Sequence, residues 1–296
     1  MQIEEYLKKY QPVIYKTFLQ SFDNGKLSHA YLISGNPGTP LLETAFFLAK
    51  SILCDDPSPL ACENCISCLK VNDDNYPDLV FFNGAKSSIK KGDIALIENM
   101  FNKEALDAKG IKIYILHLVE NMNEEATNSL LKFLEEPHKN TYAFLTTNNT
   151  NNILPTIVSR CQNFKLKLIR RDIVIKEAID LGVNQDDAEI LSYFYNESNL
   201  IYELTQKKED NDRYLSNKEY LFNFLNSILK GKRECIFYTQ SVLVPNLKST
   251  EDVRFFIDML SQIITDVINV DNRNEIVLKC QEDLLLSLKD KIKKQS

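Results

Sequence analysis

The chain has 296 residues, with 35 Lys and Arg against 41 Asp and Glu; the net charge of −6 excludes general electrostatic attraction to nucleic acid, so any DNA contact must be local or shared with partners. At 44% hydrophobic and 26% charged, with few Gly and Pro, the composition excludes disordered and collagen-like classes and supports two or three domains with real cores. No apolar run approaches the roughly 18 residues of a membrane span. The opening MQIEEYLKKYQPVIYKTFLQ is amphipathic and charged, without a signal-peptide apolar region, so a soluble cytoplasmic protein is expected.

In chain order, the pattern predicts a helix over 3–24, the strand AYLIS over 30–34 and a helix over 41–53. Between that strand and helix stands SGNPGTPLLE, the context of a phosphate-binding P-loop. Gly35 and Gly38 keep the opening of the Gly-x-x-Gly-x-Gly-Lys-Thr form, but Pro40, Leu41 and Leu42 stand in place of its last glycine, lysine and hydroxyl. Leu41 removes the charge that would neutralise the β- and γ-phosphates, and Leu42 removes the hydroxyl that would hold Mg²⁺. Pro40 removes a backbone N–H from the anion cradle. No ATP is expected to bind.

Next come Cys54, Cys62, Cys65 and Cys68, four of the chain's seven cysteines, in CDDPSPLACENCISC. In a cytosolic chain this clustering favours metal over disulfide. The C-x7-C-x2-C-x2-C spacing can place four thiolates around one tetrahedral zinc, a closed and therefore structural site. An iron–sulfur cluster also takes four thiolates, but its bacterial run ends in Cys-Pro, and here Leu69 follows Cys68. Four unligated thiols are the remaining alternative.

The strand LVFF (79–82), a helix over 92–107 and the strand KIYILHL (112–118) follow, then a helix over 123–135, the strand TYAFLTT (141–147) and a helical turn before NFKLK (163–167). Strands alternating with helices predict a parallel sheet covered on both faces. An ATPase would place paired carboxylates at the end of KIYIL to hold Mg²⁺. Here that strand runs into His117, Leu118, Val119 and Glu120; His117 reads as a strand-end residue, and Glu120 is offset by three. The pair Lys90–Lys91 before Gly92 reads as a solvated loop. Residues 168–210 show helical spacing with Gly182 as a stop, and 211–296 are helical throughout. They end in a stripe of Ile276, Cys280, Leu284, Leu288 and Ile292, read as core packing, and in the solvated lysines of KDKIKK.

LSHAYLISG (27–35), NSLLKFLEEP (128–137) and ILPTIVSRCQ (153–162), in that order, resemble the bacterial clamp-loader family of the DNA polymerase III holoenzyme. The resemblance is strong over about 1–165 and loose beyond. It implies an α/β AAA+ module with a parallel sheet flanked by helices, a small helical lid and an all-α collar. The domains would be a P-loop-type core over 1–165 with a zinc module at about 54–70, a helical lid over 166–210 and a C-terminal collar over 211–296. One subunit type of the family lacks a working P-loop, whereas the gamma and tau subunits keep theirs. Arg160, with Ser159 and Cys161, matches the Ser-Arg-Cys motif whose arginine reaches the ATP site of an adjacent gamma or tau subunit. Cys161 itself reads as a small packed residue, and Thr147 and Asn148, at the family's ATP-sensing position, as closing the strand.

The implied protein is a stator: no enzyme on its own, zinc-bearing, and hetero-oligomeric rather than homo-oligomeric. Its partners would be gamma/tau and delta subunits and, through the complex, the sliding clamp and primer–template DNA, with no membrane. A free-standing zinc-containing DNA-binding protein on a degenerate AAA+ scaffold is the alternative. The acidic charge and the lack of an aromatic–basic stripe count against it. An active motor is contradicted by Pro40–Leu42 and His117–Leu118.

Overall fold

The computed structural model describes residues 2–247, 249–271 and 276–293, the side chains of residues 209 and 280 excepted. The chain divides into two compact units, Met1–Leu168 and Ile169–Ser296.

The first unit opens with α1 (Ile3–Tyr10) and α2 (Pro12–Asp23), so the single helix expected over 3–24 is broken. Pro12 disfavours helical geometry at the residue before it. Gln11 accordingly leaves the helix at φ −127°, ψ 46°. Its buried side chain donates to Tyr6 Oη (3.0 Å) and Lys167 O (2.7 Å) and accepts from Lys167 N (3.0 Å). The break thus ties the N-terminal helices to the segment leaving the sheet.

Five strands follow: β1 (Ala30–Ser34), β2 (Leu79–Asn83), β3 (Lys112–His117), β4 (Thr141–Thr147) and β5 (Gln162–Lys165). They form one parallel sheet in the order β2-β3-β4-β1-β5. The connecting helices are α3 (Leu41–Leu53), α4 (Ile66–Asn72), α5 (Lys91–Phe101), α6 (Glu124–Glu135) and the single turn α7 (Pro155–Val158). β1 is buried along its whole length, as a central parallel strand must be. On one face Tyr31 stacks on Phe144 with ring centroids 5.2 Å apart and meets Phe18 edge-on at 5.6 Å. On the other, Ala30 and Leu32 join Leu116, Leu145, Ile97, Leu130 and Ile157 in one apolar cluster. β1 is paired on its two sides by β4 and β5, which places the loop after β1 at the crevice beyond the strands' carboxyl ends.

α5 ends at Phe101 rather than at 107. Lys112 Nζ caps it from β3, donating to the carbonyls of Phe101 (3.0 Å) and Lys103, while the Asp78 carboxylate accepts the N–H groups of Leu106 and Asp107. A side chain that satisfies loop amides offers the backbone an alternative to continuing the helix. β3 stops at His117 because Leu118 turns left-handed at φ 53°.

Among the described residues the elements of the second unit are all helices, including α8 (Arg171–Asp180), α9 (Gln185–Leu191), α10 (Ser198–Gln206), α11 (Lys208–Lys230), α12 (Lys232–Tyr238), α13 (Val244–Asn246), α14 (Thr250–Asn269) and α15 (Glu282–Lys293). Gly182, at φ 99°, stops α8 as expected: its N–H bonds Ile179 O (2.8 Å) and that of Val183 bonds Ala178 O (3.0 Å), the paired closure of a Schellman motif. The expected stripe is corrected. Ile276 is buried but precedes the helix, because the buried Asp266 carboxylate accepts the N–H groups of Val277 (3.1 Å) and Leu278 (2.9 Å) and holds that segment as a turn. Within α15 the buried residues are Leu285 and Leu288, while Ile292 is exposed. The Cys280 side chain and Lys294 lie outside the described residues. Lys289 is not simply solvated: its Nζ sits 2.7 Å from Asp271 Oδ2. Among the described residues no helix is long and apolar enough to cross a membrane.

Candidate functional site

The loop joining β1 to α3 is closed on itself. Thr39 N and Thr39 Oγ1 both donate to Asn36 O (3.1 and 2.8 Å), and Leu41 N donates to Thr39 O (2.8 Å). Gly35 donates to Thr147 O at 3.2 Å, and a Cβ placed on it would lie 2.4 Å from Thr39 Oγ1. The Thr39 hydroxyl therefore lies against Gly35, and the N–H groups of Thr39 and Leu41 are bonded within the loop, where a phosphate cradle keeps such groups for an anion. Gly38 takes φ 91°, a conformation that suits glycine. Leu41 is 2% exposed and points into the core, so the lysine position contributes packing rather than charge. Around the same strand ends, His117 Nδ1 lies 2.7 Å from Thr146 Oγ1, and burial lowers its pKa, favouring the neutral ring. Glu120 Oε1 accepts Asn148 N at 2.8 Å, and Thr147 Oγ1 accepts Asn149 N at 3.0 Å. Thr147 and Asn148 close the end of β4, as expected.

At the end of α3 the four cysteines converge. Cys54 follows α3 directly, Cys62 and Cys65 flank a tight turn in which Glu63 takes φ 60°, and Cys65 caps the N-terminus of α4, whose first turn carries Cys68. Their four Sγ atoms all lie within 4.8 Å of one another. Cys54 Sγ and Cys65 Sγ are 3.8 Å apart, the edge of a tetrahedron with metal–sulfur bonds of about 2.3 Å. Backbone N–H groups point at the sulfurs: Asp55 and Cys68 donate to Cys65 Sγ (both 3.4 Å), Cys62 to Cys54 Sγ (3.4 Å) and Cys65 to Cys62 Sγ (3.3 Å). Such donors favour thiolate. The backbone N–H groups of Asn64 and Cys65 bring the Cys62 thiol down to about 7, while burial pushes Cys54 and Cys68 up. A dication would offset that burial cost, so the donor set fits a structural zinc.

Two lysines tie this module down. Lys109 Nζ donates to Asp55 Oδ1 (2.6 Å) and to Leu53 O, and the Asp55 carboxylate also accepts Ser67 N (3.1 Å) and Ser67 Oγ (2.8 Å). Lys109 and then Ser67 hold the Asp55 carboxyl well below the usual carboxylate range. Lys50 Nζ reaches Glu63 Oε2 (2.5 Å) and Asn72 Oδ1 (2.8 Å). Sequence reasoning missed both anchors; the only local signal was Asp55 standing directly after Cys54.

Arg160 stands apart from both groups. Its Nη2 pairs with Glu135 Oε1 at 2.6 Å and its Nη1 donates to Thr156 O at 2.8 Å, with the side chain 33% exposed. Ser159 Oγ shares the Thr156 carbonyl (3.1 Å). Cys161 is buried, and burial lifts its thiol to about 12, so it is a packing residue as expected.

Residues 10–170 match the family described as DNA polymerase III, delta subunit. The delta' subunit of Bacillus subtilis DNA polymerase III is 32% identical over 283 residues, covering 96% of this chain and 84% of the relative. That of Haemophilus influenzae is 32% identical over 166 residues, 55% of this chain and 50% of the relative. The gamma/tau subunit of Mycoplasma genitalium is 29% identical over 188 residues, 60% of this chain and 31% of the relative. The chain thus spans most of the Bacillus protein but half or less of the other two. A solved gamma subunit-related protein from Thermotoga maritima is 20% identical, with 92% of this chain and 99% of that one covered at a TM-score of 0.48. The family match and the Bacillus relative define a clamp-loader subunit of the DNA polymerase III type. Within that class, the chain belongs to the delta-prime family.

Proposed function

We propose that this chain is the stator of a replicative sliding-clamp loader, binding no ATP itself and supplying Arg160 to the ATP site of the neighbouring subunit. The observation that carries the reading is the Thr39 side chain seated against Gly35 inside the loop, beside a Pro40 that has no N–H and a Leu41 turned into the core. Such a loop brings no lysine charge to a triphosphate, and the N–H groups of Thr39 and Leu41 are already bonded within it. Arg160, by contrast, is always charged and lies at the surface, where a docked neighbour could meet it. Phosphoryl transfer spreads negative charge over the γ-phosphate oxygens, and a guanidinium delivered from outside stabilises that charge only when the subunits are docked. The partners are gamma/tau and delta, in the cytoplasm, with clamp and primed DNA reached through the assembly. The second unit would divide near residue 210 into a helical lid and a collar that joins the other subunits. Zinc at Cys54, Cys62, Cys65 and Cys68 would be structural.

Assembly is the test of the reading. Mixed with gamma/tau and delta, the full chain is expected to enter a stable complex by gel filtration. A chain that elutes alone and binds duplex DNA unaided would turn the reading to the free-standing zinc DNA-binding protein. The isolated chain is expected to give no saturable Mg²⁺-dependent signal in calorimetry at millimolar ATP. The double variant Leu41→Lys, Leu42→Thr should still not hydrolyse ATP, because Pro40, His117 and Leu118 remain.

A further inference from the structure

We propose that Glu135 parks Arg160 in the isolated subunit and in the DNA-free loader, and yields it to the neighbour's nucleotide when clamp and DNA engage the loader, an inference that rests on the arginine-finger reading above. Glu135 is the last residue of α6, and Arg160 follows α7 by two residues. Leu134, Ile157 and Cys161 beside them are buried in one apolar cluster. Both backbones are therefore anchored, and the two side chains meet at the rim.

The arginine's conformation shows what the pair does. Nη1 is folded back onto Thr156 O, four residues earlier, and Nη2 is on Glu135 Oε1. Both terminal nitrogens, the fork that would grip a phosphoryl group bidentately, are engaged within the subunit. A strut that held the arginine ready would leave that fork pointing outward.

The sequence around Glu135 supports a functional demand. α6 carries Glu124 and Glu125 in its first turn and Lys132 in its last, as its dipole favours. Glu135, at the C-terminal end, breaks this rule, and the Arg160 guanidinium is the cation that answers it. Local rules are broken mainly where function overrides them. The strength of the hold also suits a release. With side chains 33% and 51% exposed, a pair of this kind biases an equilibrium by a factor of about five at most. A phosphate carrying more charge and accepting two N–H groups displaces one carboxylate.

Two assays on Glu135→Gln decide it, one of them independent of catalysis. In the isolated full-length chain, phenylglyoxal modification of Arg160, read by peptide mass, is expected to speed up to about fivefold, with Glu135→Asp close to wild type. In the reconstituted loader, Glu135→Gln is expected to raise the ATPase rate without DNA by a similar factor and leave the DNA- and clamp-stimulated rate near wild type. Added to Arg160→Ala, it should change nothing further. A stimulated rate as low as that of Arg160→Ala would make Glu135 a strut and overturn the parking. An effect that persists in the Arg160→Ala background would show action elsewhere and overturn it too. If Arg160→Ala slows turnover but Glu135→Gln is silent in both assays, only the parking falls. If Arg160→Ala itself changes nothing, the finger reading falls and takes this proposal with it.

Discussion

Replacing Arg160 with alanine is expected to slow the DNA- and clamp-stimulated ATPase of the reconstituted loader while leaving folding and assembly intact. Folding should survive because the Arg160 side chain makes only rim contacts, to Glu135 and Thr156, while Ile157 and Cys161 keep the turn in the core. An exposed pair of this kind contributes about 0–1 kcal/mol to stability. The catalytic loss is of another order, since an arginine finger is worth about 10³–10⁵ in rate at the site it serves. Only the one neighbouring site loses it. Total turnover falls by nearly that factor if the sites fire in obligatory sequence, and by far less if they fire independently. Arg160→Lys should rescue poorly, because an ammonium has no planar fork. Steady-state hydrolysis decides the matter, with assembly checked by gel filtration. Wild-type turnover from a correctly assembled Arg160→Ala complex would reduce the subunit to a structural part.

Removing the metal should have the second large effect, confined to one region. Metal analysis of protein prepared without chelator is expected to find one zinc per chain; iron with sulfide, or no metal, would overturn the assignment. A structural zinc site holds apparent binding energies of about 10–16 kcal/mol in small domains that have no other core. Here the sheet has its own core on both faces, so loss of the ion should loosen residues 54–72 and spare β1. Cys65→Ser should cost more than Cys62→Ser. Cys65 Sγ accepts the N–H groups of Asp55 and Cys68, the second bond capping α4, whereas Cys62 Sγ accepts from Asn64 and Cys65 in the turn and caps no helix. Lys109→Met is the milder variant: it keeps the ligands but frees Asp55, so zinc should leave faster to a chromophoric chelator. Hydrogen exchange read by mass spectrometry, comparing 54–72 with 30–34, separates local loosening from global unfolding.

The sequence by itself determined the parts of this protein whose cause is local. β1 and β4 match their expected bounds residue for residue because a strand buried on both faces is built around a short apolar run, and AYLIS and TYAFLTT are built around AYLI and YAFL. α3 and the stop at Gly182 followed in the same way, from an unbroken helical pattern and from the one residue that suits a φ of 99°. The four cysteines were legible because the spacings within 62–68 are those of one turn and a helix start. Residues 40–42 were legible because each replaces a group with a known task.

Tertiary structure decided the rest, and in each case the cause is a partner far away in the chain. α5 ends at Phe101 because Asp78 and Lys112, on other segments, satisfy its last carbonyl and the amides that follow. The helix expected over 3–24 breaks at a proline the sequence did contain, but Gln11 is held there by Lys167, 156 residues on. The pairings that no motif foretold, Lys109 on Asp55 and Glu135 on Arg160, join residues 54 and 25 positions apart. Propensity and periodicity register interactions within a few residues. Which charges meet across a parallel sheet is set by the order in which its strands are laid down, and that order exists only once the chain has closed.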